Sequence, residues 1–258
     1  MKEITDHLKR TIAYAYPPKR IISLVPAITE TMCHLGLKEN IVGRTRFCVF
    51  PNEMKKVRNV GGTKDIKMNR IHELNPDLII AEKEENTKEI VETLEVDYPV
   101  FVFEIQTIND VLKMINDIGL LTNCHQRAKK LQTDIVDALQ ALPYVNGKRI
   151  AYVIWKKPYM VVGKHTYIQS LLDTMGFINP FTSFPGRYPI VSIKDLQNAS
   201  LDYIFLATEP YPYREKHLQE FTDMLPNTTP MIINGEMFWY GAKMIQAVKY
   251  FQETFKHL

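Results

Sequence analysis

The sequence predicts an α/β protein of two lobes joined by a single long α-helix, with a ligand cleft between the lobes. Three observations carry that prediction. Two β-branched apolar runs, residues 21–25 (IISLV) and 78–81 (LIIA), flank a helix that begins Pro26-Ala27-Ile28-Thr29-Glu30. A strand feeding a helix through a short turn, followed by a second apolar strand, is the unit of a parallel sheet. A later run, residues 123–142, is apolar at Ala128, Leu131, Ile135, Ala138, Leu139 and Leu142, the three-and-four spacing of one helical face. Finally, the order of segments before this run returns after it. The expected domains are residues 1–120, a bridging helix at 121–145, and residues 146–258.

The elements follow in order. Residues 4–13 read as a small hairpin about a polar turn at 6–9. Strand 21–25 leads to a helix at 28–35, stopped by Gly36 in the manner of a C′ glycine. Residues 41–43 form a short strand, and a helix at 68–74 ends ahead of Pro76, because a proline disfavours helical geometry in the residue before it. Strand 78–81, helix 87–94, strand 100–103 and helix 108–118 come next. Asn123 is a good N-cap for the long helix, which Pro143 and the Asn146-Gly147 turn close.

The second half echoes the first. RIAYVIW (149–155) parallels RIISLVP, and GKHTYIQSLLDTMGF parallels PAITETMCHLGL, each ending at a glycine, Gly176 and Gly36. LQNASLDYIFLATEP parallels IHELNPDLIIAEKE, and PMIIN (230–234) parallels PVFVF (99–103). Arg20 to Asp77 spans 57 residues and Arg149 to Asp202 spans 53. Matching order and spacing favour a duplication. Ligands of such sheets sit beyond the carboxyl ends of the strands, and clefts between domains are favoured sites.

Composition narrows the function classes. Apolar content of 45% and charged content of 24% are those of an ordinary globular protein. A net charge of +3 with scattered Lys and Arg gives no nucleic-acid footprint. Three cysteines, Cys33, Cys48 and Cys124, make an odd number without a CxxC pair, which argues against a disulfide framework or a structural zinc site. The first twenty residues hold no apolar stretch of the length a secretory signal needs, and no window reaches the ~20 apolar residues of a membrane span. A cytoplasmic monomer is expected for the chain as it stands, and a periplasmic location if it is a trimmed piece of a longer one.

The opening TDHLKRTI with PPKRIISLVPAITE, the turn VGGTKD (60–65) and LNPDLIIA (74–81) resemble the helical-backbone substrate-binding proteins of ABC importers. The resemblance implies two Rossmann-like lobes bridged by one helix. It also implies a non-enzymatic protein that takes a small-molecule metal chelate (cobalamin, haem or a ferric siderophore) and has no cofactor of its own. The sequence is most similar to the vitamin B12-binding branch. Two departures stand out. Lys9 occupies a position where a glycine is usual, and Asn69 and Lys194 fall near the positions of the acidic residues that the family's permeases grip. Glu73 and Asp195 lie close by. The departures bring in a cytoplasmic ligand sensor or sequestering protein as an alternative to a partner of an ABC permease.

Candidate ligand-binding residues cluster at strand ends. The resemblance implies that Phe47 packs on the ligand's ring face; Phe47 and Phe50 could equally plug the lobe core. Cys48 is a soft axial ligand only if it is a thiolate, and a buried structural cysteine otherwise. Gly61-Gly62 permits close backbone approach, so Thr63 and Lys64 could bond an anionic group, or the turn is simply tight. The loop EKEEN (82–86) reads as solvated rim. In the second lobe Trp155, Lys156, Tyr159 and Met160 form an apolar-rich loop, and Tyr188 aligns with a ligand-packing aromatic of the B12 branch. Glu209, Tyr211 and Tyr213 end one strand and Glu236, Trp239 and Tyr240 another. Aromatic residues at four successive loop ends favour a shared apolar site. Glu209 and Glu236 could contact Lys156 or a metal complex.

None of the seven histidines forms an HxH, HxxxH or HExxH pair, so no built-in metal site is expected. His165, at the start of a helix, could reach a ligand's metal. No GxSxG, Walker or GxGxxG pattern is present. A chelate-binding protein is the first expectation, and a chelatase-like enzyme on the same scaffold is the rival from another class.

Overall fold

The computed structural model describes residues 1–258, which divide into two units. The first comprises 1–105, 109–136 and 241–243, the second 106–108, 137–240 and 244–258. No helix is long and apolar enough to cross a membrane.

The first unit opens with an antiparallel hairpin, β1 (Lys2–Thr5) and β2 (Thr11–Tyr14). Then come β3 (Ile21–Ser23), α1 (Pro26–His34), β4 (Ile41–Arg44), β5 (Arg58–Asn59), α2 (Met68–Leu74), β6 (Leu78–Glu82), α3 (Lys88–Glu95) and β7 (Val100–Phe103). The sheet is parallel throughout, in the order β5-β4-β3-β6-β7. Every residue of β6 and β7 is buried, as the unbroken apolar runs require of strands covered on both faces. Connections from β3 and β6 leave in opposite directions, so the switch point of the sheet lies between these two strands. The hairpin's turn closes the outer edge of β7. His7 N donates to Val102 O at 3.2 Å, Val102 N to Asp6 Oδ2 at 3.3 Å, and Arg10 Nη2 to Val100 O at 3.1 Å.

Two helices follow, α4 (Ile108–Thr122) and α5 (His125–Leu139). The expected helix from Asn123 needs correction. Asn123 has φ +59 and Cys124 N donates to Gly119 O at 3.0 Å, so Asn123 terminates α4 as a left-handed C′ residue. The first bond of α5 runs from Ala128 N to Cys124 O at 3.0 Å, which puts Cys124 at the cap. Asparagine serves both positions, and the sequence alone does not separate a stop from a start.

The second unit holds β8 (Ile150–Trp155), β9 (Tyr159–Val161), α6 (Tyr167–Thr174), β10 (Ile190–Val191), α7 (Ile193–Asn198), β11 (Tyr203–Ala207), α8 (Leu218–Met224), β12 (Thr229–Ile233) and α9 (Lys243–Phe255). Strand order is β10-β9-β8-β11-β12. β8, β11 and β12 are parallel, whereas β9 and β10 pair antiparallel to their neighbours. The segment read as an apolar-rich loop after β8 is a tight hairpin. Lys157 adopts φ +62 and the chain folds straight back, so that Met160 pairs with Trp155. The large side chains there belong to a strand.

The echo in the sequence is realised in equivalent bonds. Arg20 N donates to Asp77 Oδ1 at 3.0 Å and its guanidinium to Leu74 O. Arg149 N donates to Asp202 Oδ2 at 2.8 Å and its guanidinium to Ala199 O. Each arginine thereby satisfies the last carbonyls of the helix before a parallel strand. Gly36 (φ +72) and Gly176 (φ +78) end α1 and α6 with the same pair of bonds. These are Gly36 N to Cys33 O with Leu37 N to Met32 O, and Gly176 N to Asp173 O with Phe177 N to Leu172 O.

Candidate functional site

At the carboxyl edge of the first unit, β4, β5 and β6 deliver three loops. After β4, Arg46 forms a fork with Asp65, both contacts 2.8 Å, and its guanidinium lies 5.0 Å over the ring of Phe47. The Arg46 bonds hold the Asp65 carboxyl below its usual range. Phe47 is 48% exposed and presents a ring to solvent. Phe50 is half-buried, and the Lys243 ammonium, paired with Glu30 at 3.1 Å, covers its ring at 4.8 Å.

Cys48 is 1% exposed, with Sγ 3.1 Å from Thr45 Oγ1. Burial pushes its thiol up, so at neutral pH it is a protonated core group rather than a thiolate ligand. The axial-ligand reading of Cys48 does not survive that environment.

After β5, the turn needs its glycines. Gly61 has φ +121, and a Cβ on Gly62 would stand 2.1 Å from Asp65 Oδ1. Thr63 is buried, its carbonyl accepting from Asn86 Nδ2 at 3.0 Å, and exposed Lys64 donates to Glu84 O at 2.5 Å. Both are therefore bound into the neighbouring loop.

That loop, after β6, is not the solvated rim expected. Glu82 is 2% exposed. Its Oε2 accepts from Glu84 N at 2.8 Å and Glu85 N at 3.0 Å, while Asn86 Oδ1 accepts from Glu82 N at 3.0 Å. Glu82 Oε1 is buried without a hydrogen-bond partner. Burial raises the Glu82 carboxyl from 4.5 to about 7. Burial, then the charge of Glu84, raises Glu85 as well.

At the carboxyl edge of the second unit, Trp155 is 40% exposed and meets Tyr211 edge to face, ring centres 5.9 Å apart. Tyr211 stacks obliquely on Tyr213 at 4.6 Å, and the buried Tyr213 donates its hydroxyl to Trp155 O at 3.1 Å. Trp239 Nε1 donates to Glu209 Oε1. Gly235 lets Glu209 lie close, because a Cβ there would come within 2.5 Å of Glu209 Cγ. Tyr240 packs edge to face on Tyr167 at 5.8 Å.

Lys156 pairs with a carboxylate that the sequence did not single out. Its ammonium bonds Glu220 Oε2, and Tyr159 donates to Glu220 Oε1 at 2.9 Å. These bonds hold the Glu220 carboxyl down, while burial raises Tyr159 to about 12. Tyr188 precedes β10 instead of following a strand, in a segment where Arg187 O accepts from Gly163 N at 2.8 Å. Exposed His165 has φ +59 just ahead of Thr166, whose Oγ1 caps α6. Glu236, half-buried, donates its N–H to Asn234 Oδ1 at 3.1 Å. The structure thus gathers Trp155, Tyr211 and Tyr213, and separately Glu209 with Trp239. Glu82, Asn86, Arg46 and Glu220 are the structural members that sequence reasoning missed.

Asn69 and Lys194 are both exposed. Glu73 is paired with Arg58 at 2.9 Å, and Asp195 is the acid of a capping box with Ser192. A depression in the second unit lined by Gln197, Leu201, Leu225 and Asn227 lies at the amino ends of its strands, away from these loops.

Comparison with known proteins adds to the geometry. The periplasmic binding protein family matches residues 21–237. A vitamin B12-binding protein of Pectobacterium carotovorum is 25% identical over 214 residues, covering 80% of this chain and 77% of that protein. The periplasmic haem-binding protein of Vibrio cholerae shares 21% identity and a TM-score of 0.76, over 92% of this chain and 98% of its own. A protein of an ABC-type Fe3+-hydroxamate transport system from Saccharomonospora viridis shares 20% and a TM-score of 0.76, over 98% of both chains. Matched from residue 21 to residue 237, and built as two α/β domains with parallel strands, this chain belongs to the periplasmic binding protein family.

Proposed function

We propose that the chain is a non-enzymatic binding protein for a bulky metal-bearing chelate, a cobalamin-like corrinoid first, with haem and ferric siderophores as the other members of the class. The observation that carries this reading is the half-exposed Trp155 backed by Tyr211 and Tyr213 at the carboxyl edge of the second unit. A rigid aromatic face covers the flat apolar surface of a macrocycle at little entropic cost. Phe47, held under Arg46, offers a second such face in the first unit. The B12-binding relative supports placing corrinoids first, since structural likeness alone spans haem and hydroxamate carriers.

Delivery to an ABC permease is the family's use of such a protein, and we propose it here with one qualification. The acids near the expected grip positions, Glu73 and Asp195, are engaged by Arg58 and Ser192. These contacts favour, as a second reading, a ligand sensor or sequestering protein. Complementation of B12 uptake in a strain lacking its own binding protein separates the two; robust rescue removes the second.

Absorbance titration with cyanocobalamin, haemin and a ferric hydroxamate tests the first. Binding of one of them at micromolar concentration is expected, weakened at least tenfold (~1.4 kcal/mol) in Trp155→Ala. No binding by any of the three rejects the proposal.

A further inference from the structure

We infer that Glu220 is the positioning residue of the Trp155 face: gripping both flanks of the β8–β9 turn from α8, it presents the indole to a ligand already oriented. The inference rests on the reading of Trp155 as a chelate-facing side chain and adds to it a residue that acts through its neighbours.

The turn has little hold of its own. β9 is three residues long, and its register against β8 shifts between Val153 and Trp155. At that shift Ile154 O accepts from Tyr211 N at 3.2 Å, outside the hairpin. An irregularity of this kind interrupts the ladder and re-aims the side chain that follows it, and a short hairpin is marginal by its own pairing. Trp155 stands there, 40% exposed.

The hold comes from α8. Lys156 precedes the turn and Tyr159 follows it. The Glu220 carboxylate takes the Lys156 ammonium on Oε2 and the Tyr159 hydroxyl, at 2.9 Å, on Oε1, so one side chain spans the turn from flank to flank. Tyr159 packs its ring edge to face on Phe221 at 5.6 Å, and its hydroxyl lies 3.8 Å from Met224 Sδ. The Lys156 side chain is 14% exposed, a burial at which a lysine is kept by a charged partner.

The same helix carries the rings that support the indole. Phe221 meets Tyr213 at 5.9 Å; Tyr213 donates to Trp155 O and packs on Tyr211, the edge-to-face neighbour of Trp155. Tyr213 thus fixes the carbonyl of Trp155, Tyr211 one side of its ring, and Glu220 the residue after it. A side chain on an exposed turn otherwise samples several rotamers, and ordering it at the moment of binding weakens affinity. Orienting it beforehand, from α8, removes that loss.

The chain has two tryptophans, Trp155 and Trp239. Fluorotryptophan incorporated into the full chain therefore gives one fluorine resonance on the hairpin and one reference, assigned with Trp155→Phe. In ligand-free protein Glu220→Ala should broaden the Trp155 resonance or move it toward that of the free amino acid, and leave that of Trp239 in place. Absorbance titrations with cyanocobalamin, haemin and a ferric hydroxamate should show about a fivefold loss for the chelate that the wild type binds, the scale of ordering one side chain. The charge exchange Lys156→Glu/Glu220→Lys rebuilds the pair and should return both readouts to within about twofold of wild type. Circular dichroism melts confirm that each variant is folded. An unmoved Trp155 resonance in folded Glu220→Ala overturns the inference without reference to any ligand. So does a loss that the exchange fails to recover, which marks a general loosening of α8. A displaced resonance with undiminished affinity overturns the positioning role and leaves chelate binding intact. If no chelate binds the wild type, the reading of Trp155 falls and the positioning role with it.

Discussion

Replacing Glu82 by Gln should make the protein more stable, and only above a defined pH. The Glu82 side chain is 2% exposed, and its carboxyl rises from the ordinary 4.5 to about 7 because burial penalises the charged form. A carboxyl raised in the folded state holds its proton there while the unfolded chain has released it. Native stability is therefore highest below about pH 4.5 and falls as pH rises through the folded value near 7. At about 1.36 kcal/mol per pH unit, the interval from 4.5 to 7 corresponds to a loss of about 3 kcal/mol. Glutamine mimics the protonated acid in shape, and its carbonyl can still accept from Glu84 N and Glu85 N. The variant should match the wild type below about pH 4.5 and exceed it by about 3 kcal/mol above about pH 7. Urea unfolding followed by far-ultraviolet circular dichroism at several pH values measures the difference, and other titrating groups cancel between the two proteins. Parallel stability curves would refute the argument, because they would mean that Glu82 titrates in the folded chain where it does in the unfolded one.

Three further outcomes follow from contacts described above. Gly235→Ala should destabilise the protein by about 1–3 kcal/mol and weaken chelate binding, because its Cβ would crowd Glu209 within 2.5 Å; a neutral result in urea unfolding would show that Glu209 moves freely. Cys48, and Cys33 with its thiol raised by burial to about 11, should resist a thiol reagent at neutral pH in the native state and react on unfolding. Rapid labelling of Cys48 in the folded protein would contradict its buried position. Glu220→Gln should lower the Tyr159 ionisation midpoint, because the bond to Glu220 and its charge add to the rise that burial causes; an unmoved midpoint in an ultraviolet pH titration would contradict that contact.

Much of the fold was legible because parallel strands buried on both faces leave unbroken apolar runs, as in LIIA and VFVF, and because Gly36 and Gly176 mark helix ends that only a left-handed residue permits. The Arg20–Asp77 and Arg149–Asp202 intervals were readable as spacing, although their common bonding was not. Illegibility had local causes. Asn123 suits both a stop and a start, and Lys157 hid a hairpin turn inside an apolar stretch. At the site, EKEEN looks solvated by composition, yet its first residue closes β6 and is pulled inward by the strand's burial. Tyr211 and Tyr213 read alike, but they alternate sides, one half-exposed and the other fully buried. The partner of Lys156 lies 64 residues away at Glu220, a separation that local pattern does not encode.

The hairpin that opens the chain also has a protective consequence. A sheet margin with unpaired backbone groups is a template for foreign strands. In the first unit one margin is the two-residue β5, and the other, β7, is already occupied by Asp6, His7 and Arg10. In the second unit β10 is two residues long, and β12 carries Pro230, which has no N–H to offer. Four margins are thus closed to strand addition by three different devices: brevity, a turn laid along the edge, and a missing donor. A protein that keeps aromatic side chains such as Phe47 and Trp155 exposed at its strand ends has, in these margins, a safeguard against self-association.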